Sequence, residues 1–285
     1  MSLLFFQLLN GIGLGLIYFL LAIGLSVIFG LLGFVNFAHG AFYAIGAYAT
    51  YRLLEAGVSF WWALAIAPVV TAAFALVCER LVLRRTYASG HSTQIIVTFG
   101  LALMIQEGLA WAFGTRALNV MAPEALSGFV TLGDFTYPVY RLFVMAVSVA
   151  LAVSLWLLIE RTRFGAIVRA SSESREEVML LGIPVNVVYT AAFSLGIGIA
   201  ALAGALAAPL RGVDPLMGLE ALGLAFVVVV MGGMGSFLGT LVAAVLVGVI
   251  QSLMTTLWSE GAYLAIYLAM AAVILFRPYG LIGRH

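Results

Sequence analysis

The chain has 285 residues, 64% of them hydrophobic and only 9% charged, where a soluble domain carries roughly 25% charged residues. Its 13 basic and 12 acidic side chains leave a net charge of +1, too little charge to coat a chain of this size in water and no basic surface for nucleic acid. A soluble enzyme and a disordered chain are both excluded, and at about 20 apolar residues per crossing there is material for eight or nine membrane helices.

Apolar runs cover 5–33, 37–53, 60–83, 93–113, 139–159, 187–209, 218–235, 237–257 and 262–276. The opening stretch has no basic n-region and no small-residue cleavage site, so it reads as a crossing and not as a removed leader. The first run is long and rich in glycine (Gly11, Gly13, Gly15, Gly24, Gly30, Gly33). The second, seventh and last runs are near or below the length of a straight crossing, so broken or re-entrant helices are expected. Every run is too long for a barrel strand, and none alternates as such a strand must. The expected fold is all-α: one domain over 1–285, a transmembrane helical bundle of 8–9 helices, some short or broken.

All thirteen cations are arginine. Without lysine there is no phosphate-binding P-loop and no Schiff-base chemistry. Arg80, Arg84 and Arg85 crowd the end of the third run, Arg161, Arg163, Arg169 and Arg175 lie in the 160–186 loop, and Arg277 and Arg284 flank the C-terminus. Arg52, Arg116, Arg141 and Arg211 occur singly elsewhere. The positive-inside rule therefore places 84–91, 160–186 and the C-terminus in the cytoplasm and 114–138 outside. Trp61, Trp62 and Trp258 sit where interfacial anchors are expected.

Polar residues within or between the runs are candidate sites. Asn36 and His39 lie between the first two runs; Asn36 is placed to cap the following helix and His39 to meet a backbone carbonyl, or the pair borders a helix break that lines a path. Gly40, Ala44 and Ala47 give the next helix a small-residue face suited to close packing. Gln106 and Glu107 fall inside the 93–113 run, and an ionisable group in a span is a candidate by default, unless it reaches the outer interface or is held protonated. Asp214 and Glu220 are placed to cap the seventh run. Gly232, Gly233, Gly235 and Gly239 form a tight turn and not a phosphate loop. His39, His91 and His285 lack metal-ligand spacing, there is no nucleophile elbow, and no metal, catalytic residue or cofactor is expected. The single cysteine, Cys78, permits no internal disulfide and is expected to pack in a helix.

The 160–186 loop has helix punctuation of its own. Ser174-x-x-Glu177 matches a capping box, Gly182 is placed as a C-cap, and Pro184 follows where a helix must stop. The two turns between them are too short to stand alone in water. Val178, Met179, Leu180 and Leu181 must therefore pack either on the membrane helices or on a docking partner.

Three stretches carry a family resemblance: 15–51 (GLIYFLLAIGLSVIFGLLGFVNFAHGAFYAIGAYATY), 161–185 (RTRFGAIVRASSESREEVMLLGIPV) and 232–239 (GGMGSFLG), with Arg277-Pro278-Tyr279-Gly280-Leu281 at the end. Together they resemble the LivH-type permease subunits of ABC importers for branched-chain amino acids, whose relatives carry amides, urea or aromatic acids. The resemblance implies a bacterial inner membrane protein that pairs with a second homologous permease, two cytoplasmic ATPases and a periplasmic solute-binding protein. It also implies that the 160–186 loop is the coupling element, with Arg169, Glu173, Arg175, Glu176 and Gly182 toward the ATPase and Asn36, His39 and Glu107 toward the solute path. A self-sufficient secondary transporter or channel is the alternative, and it would need ion sites of its own. The orientation is tested by replacing Cys78, placing single cysteines at Ser89, Ser127 or Ser174, and labelling intact cells with an impermeant thiol reagent. Only the Ser127 probe is expected to react; labelling at Ser89 or Ser174 would overturn the topology.

Overall fold

The computed structural model describes residues 2–87, 89–132 and 135–283, so Asp134, Arg284 and His285 lie outside the described residues. Eleven α-helices follow in order among the described residues: α1 (Ser2–Leu32), α2 (His39–Glu55), α3 (Phe60–Leu81), α4 (His91–Phe113), α5 (Val139–Arg161), α6 (Arg163–Glu173), α7 (Arg175–Leu180), α8 (Val185–Arg211), α9 (Met217–Gly232), α10 (Phe237–Leu257) and α11 (Ala262–Phe276). Seven of them are long and apolar enough to cross a membrane. The short α2 and α9, of 17 and 16 residues, make up the nine apolar segments. The 114–138 connection carries one addition to the all-α plan, a hairpin of β1 (Phe129–Leu132) and β2 (Phe135–Pro138) with Val130 opposite Tyr137.

Hydrophobicity alone does not say which helix is central, because lipid is as apolar as leucine. Side-chain size does. The long helices richest in glycine, α1 with five and α8 with three, are also the most enclosed, with 67% and 72% of their most apolar windows buried against 17% for α4 and α11. Close backbone approach explains this. A Cβ on Gly15 would stand 2.7 Å from the Ala244 carbonyl oxygen of α10, and one on Gly24 would stand 2.4 Å from the Gly196 oxygen of α8. Neither position has room for a methyl group.

The packing has an internal order. α1 lies along α10, and α8 lies along α3. α1 and α8 cross at Gly24 and Gly196, while the short α2 and α9 meet at Gly40 and Gly218, where a Cβ on Gly218 would stand 2.7 Å from the Gly40 oxygen. The succession long, short, long, peripheral is thus repeated by α1–α4 and α8–α11 in opposite directions, the arrangement of an inverted repeat. The hairpin, α5, α6 and α7 connect the halves. Among the described residues, Arg80, Arg84, Arg85, Arg161, Arg163 and Arg169 lie at the end of the bundle that carries α6 and α7.

Loops close on the same backbone logic. Gly233 and Gly235 take positive φ (99° and 79°) in the α9–α10 turn. The segment after α11 seals that turn, with the Leu281 N–H donating to the Met231 oxygen at 2.8 Å. At the other end, Leu118 and Val213 exchange backbone bonds of 2.8 and 2.9 Å. Cys78 is buried in α3, as expected.

Gly40→Val tests the packing, because overfilling a close-packed contact costs about 1–3 kcal/mol or more. The variant is expected to lose thermal stability in detergent. Gly100→Ala and Gly108→Ala, at helical positions with nothing within 4 Å, are expected to unfold at or above the wild-type temperature.

Candidate functional site

Chemistry concentrates in three places, the first being the break between α1 and α2. Gly33, with φ of 71°, ends α1 and turns the chain back toward the middle of the bundle. The Asn36 side-chain oxygen accepts the Ala38 N–H at 3.1 Å, and the Asn36 backbone oxygen accepts the His39 N–H at 3.1 Å. Asn36 thus makes a local turn before the helix, whereas the cap position itself is Ala38, without a side-chain bond. That corrects the expected capping role: the helix starts two residues later than Asn36 would require.

His39 Nε2–H donates to the Leu21 oxygen of α1 at 2.9 Å, which meets the carbonyl-binding expectation. A Cβ on Gly24 would stand 3.0 Å from His39 Cε1, so the glycine makes room for the ring. Asn36 and His39 are fully buried, and Asn36 Nδ2 and His39 Nδ1 have no hydrogen-bond partner among the described residues. Unpaired buried groups of this kind cost roughly 1–3 kcal/mol each. The break therefore carries more polarity than its packing requires.

The second place is the groove beside that break. Phe37, Ala41, Phe99, Gln106, Pro215 and Gly218 line a small cavity of about 20 Å³ between α2, α4 and α9. Gln106 turns toward it, while its neighbour Glu107 is exposed on the outside of α4. Met104 and Trp111, 74% and 90% exposed, share that outer face. Glu107 lies six residues before the end of α4, about 9 Å along the axis. It is not brought together with Asn36 and His39. Asp214 and Glu220 do not cap α9 directly: Asp214 Oδ1 accepts the Leu216 N–H at 2.9 Å, and Glu220 pairs with Arg211 at 2.6 Å.

The third place is the arginine-rich end, where the 160–186 segment is more helical than its sequence suggests. Thr162 caps α6 by accepting the Gly165 N–H at 3.2 Å. Ser174 caps α7 by accepting the Glu177 N–H at 3.3 Å. The reciprocal half of the capping box is absent, since the Ser174 N–H goes to the Ala170 oxygen. Gly182 takes φ of 76°, with the Gly182 and Ile183 N–H groups returning to the Met179 and Val178 oxygens. This is the expected glycine C-cap.

Val168 and Val178 are buried with Leu31, Val185, Val188 and Tyr189, joining α6 and α7 to the ends of α1 and α8. Met179, Leu180 and Leu181 point the other way, the last two 86% and 77% exposed. Glu173, Arg175, Glu176 and Gly182 are exposed beside them. Arg169 is not part of that surface. It donates to the Ile159 oxygen and stands 3.4 Å from Glu160, holding α6 against the end of α5.

One member of this end was missed in the sequence. Glu79, fully buried in α3, accepts from Tyr87 at 3.0 Å and Thr190 at 3.0 Å and pairs with Arg84 at 3.4 Å. Arg84 also donates to Thr190 at 2.6 Å. Burial, and then the neighbouring Glu79 charge, push the Tyr87 hydroxyl well above the ordinary tyrosine range, so it remains a donor. The network reaches α7 through rings: Tyr87 lies edge-on to Tyr189 at 6.3 Å, and the Arg175 guanidinium lies 5.6 Å over Tyr189. The available signal is an acid inside an apolar run beside Arg80, Arg84 and Arg85.

Comparison with known proteins agrees with this architecture. Residues 7–276 match the family described as branched-chain amino acid transport system / permease component. The high-affinity branched-chain amino acid transport system permease protein LivH of Escherichia coli (strain K12) is 29% identical, covering 98% of this chain and 95% of that protein. BraD of Pseudomonas aeruginosa, a permease protein of the same description, is 28% identical over the same shares. LivM of Salmonella typhimurium is 30% identical over 94% of this chain and 68% of its own length. A solved structure of PsaBC from Streptococcus pneumoniae in complex with Fab shares the fold, with a TM-score of 0.53, 13% identity, and coverage of 94% of this chain and 89% of that one. The chain is a multi-pass membrane protein and belongs to the branched-chain amino acid transport permease family.

Proposed function

We propose that the chain is a translocation subunit of an ATP-driven importer in a bacterial inner membrane, carrying branched-chain amino acids or related small hydrophobic solutes. It works with a second homologous permease, receives solute from a periplasmic binding protein, and takes its motion from two cytoplasmic ATPases. The arginine-rich end and the C-terminus face the cytoplasm. The observation that carries this reading is the double face of α7. Val178 anchors the helix to the membrane core, while Met179, Leu180 and Leu181 are presented outward between charged side chains. A solvated topology loop has no need of such a face, whereas a coupling element requires a partner that covers it.

In this reading the polar break at Asn36 and His39 borders the solute path. It sits on the same α1–α8 pair that seats α7, about 15 Å farther along α1. Glu173, Arg175 and Glu176 meet the ATPase, Gly182 ends the coupling helix, and Arg169 positions α6 behind it. Glu107 lies on the outer face, toward lipid or the second permease. The alternative of a self-sufficient ion-coupled transporter gains nothing from Glu79, whose carboxylate is already engaged by Arg84, Tyr87 and Thr190.

Two sets of variants test the coupling. Met179→Pro interrupts α7 beyond its first turn, where an interior proline costs roughly 3 kcal/mol, and is expected to abolish uptake while the permease still inserts. Leu180→Asp with Leu181→Asp is expected to remove the ATPases from the co-purified complex. Wild-type uptake and unchanged ATPase recovery in both would show the coupling role to be wrong. Glu79→Gln keeps the shape but removes the charge that Arg84 pairs with. It is expected to leave ATPase binding intact while uncoupling hydrolysis from uptake, seen as a fall in solute carried per ATP hydrolysed; an unchanged ratio would confine Glu79 to stability.

A further inference from the structure

At the end of the bundle away from α6 and α7, a cavity of about 120 Å³ opens between α1, α2, α5 and α8. Its polar side is made by Asn10, Tyr18, Tyr43, Tyr137, Arg141 and Arg211, and its apolar side includes Leu14, Ile17 and Val144. Two guanidinium groups face this space and no carboxylate lines it.

The two cations are not equivalent. Arg211 is compensated by Glu220 at 2.6 Å. Arg141 has no carboxylate within ion-pair distance among the described residues; its guanidinium donates instead to the neutral Asn10 side-chain oxygen. That oxygen also accepts from the Tyr137 hydroxyl at 3.1 Å, so α1 and α5 together hold Arg141 at the cavity edge. A partly enclosed cation in so apolar a bundle is unfavourable without a counter-charge. No described residue supplies that counter-charge, which leaves Arg141 open to an anionic ligand.

We propose that this cavity binds an amphiphilic monoanion, with its carboxylate or phosphate head on Arg141 and its apolar body along Ile17 and Val144. An apolar cavity of about 150 Å³ holds benzene, so this one takes a branched chain of similar bulk or the first part of a lipid. A planar guanidinium is matched to either head group by paired N–H donors. The site goes beyond the transport role, because binding here needs neither the ATPases nor the second permease.

The test uses the full chain in nanodiscs. In phosphatidylcholine discs, calorimetric titration with 4-methylpentanoate is compared with 4-methylpentanamide, which has the same body without the charge. In mixed phosphatidylcholine–phosphatidylglycerol discs, native mass spectrometry reads which lipid the protein retains. Binding of the acid and not the amide identifies a free carboxylate as the occupant, and selective retention of phosphatidylglycerol identifies a lipid phosphate. In either case Arg141→Gln is expected to weaken binding at least tenfold and Arg141→Lys to retain part of it. Gly13→Val supplies an independent arm: Gly13 lines the cavity, its Cβ would lie an acceptable 3.4 Å from Met145 Cγ, and the added methyls fill the space. It too is expected to lose the anion while keeping the wild-type unfolding temperature. The proposal is overturned if wild type prefers neither anion, or if monodisperse Arg141→Gln and Gly13→Val proteins bind them as wild type does.

Discussion

Everything in this molecule depends on backbone-to-backbone contact between helices at glycine. In water, a helix bundle is gathered by excluding solvent from leucine. In lipid that drive is missing, and association rests on van der Waals fit and on the few polar bonds that can be made. Gly15 against Ala244, Gly24 against Gly196 and Gly40 against Gly218 bring main chains so close that a methyl group has no place. These contacts place α1 and α8 at the centre of the nine apolar segments. They also leave α4 and α11 on the outside, with large apolar side chains facing lipid.

A centre built this way tolerates polar groups only where they are answered. Glu79 is buried completely, yet three side chains answer its carboxylate. Leaving such a charge unpaired would cost several kcal/mol. The network joins the end of α3, the turn at Leu83–Thr86 and the start of α8. Through Tyr189 it touches Arg175 on α7. The short helix that presents Leu180 and Leu181 is therefore not hung on a flexible loop: it stands on the most tightly packed helices of the protein, so displacing it means displacing them.

Much of this could be read from residue types. The Gly40, Ala44 and Ala47 face announced close packing, the short second and seventh runs announced α2 and α9, and Ser174 and Gly182 bounded α7 correctly. The misses have physical causes. In a membrane helix, the lipid face and the core face are both apolar, so no periodicity told whether Glu107 points inward; it points outward, and Gln106 takes the inner side. Asn36 looked like a cap because asparagine often is one, but a two-residue turn placed the helix start after it. α6 was taken for loop because its arginines and serines masked a single buried stripe at Gly165, Val168 and Ser171. Arg169 seemed available to a partner, since nothing local in the sequence reveals that it folds back on Ile159 and Glu160.

The central claim is that α7 and the α1–α8 core on which it stands move as one unit relative to the outer helix α4. Distances between paired spin labels on the proposed importer assembly address this directly, measured with its ATPase partners free of nucleotide and then trapped with a non-hydrolysable analogue. One pair joins exposed Leu180 on α7 to exposed Trp111 on α4; the other joins Leu8 on α1 to Val187 on α8. The account predicts a changed Leu180–Trp111 distance and an unchanged Leu8–Val187 distance. A Leu180–Trp111 distance that stays fixed while the α1–α8 pair separates would contradict it.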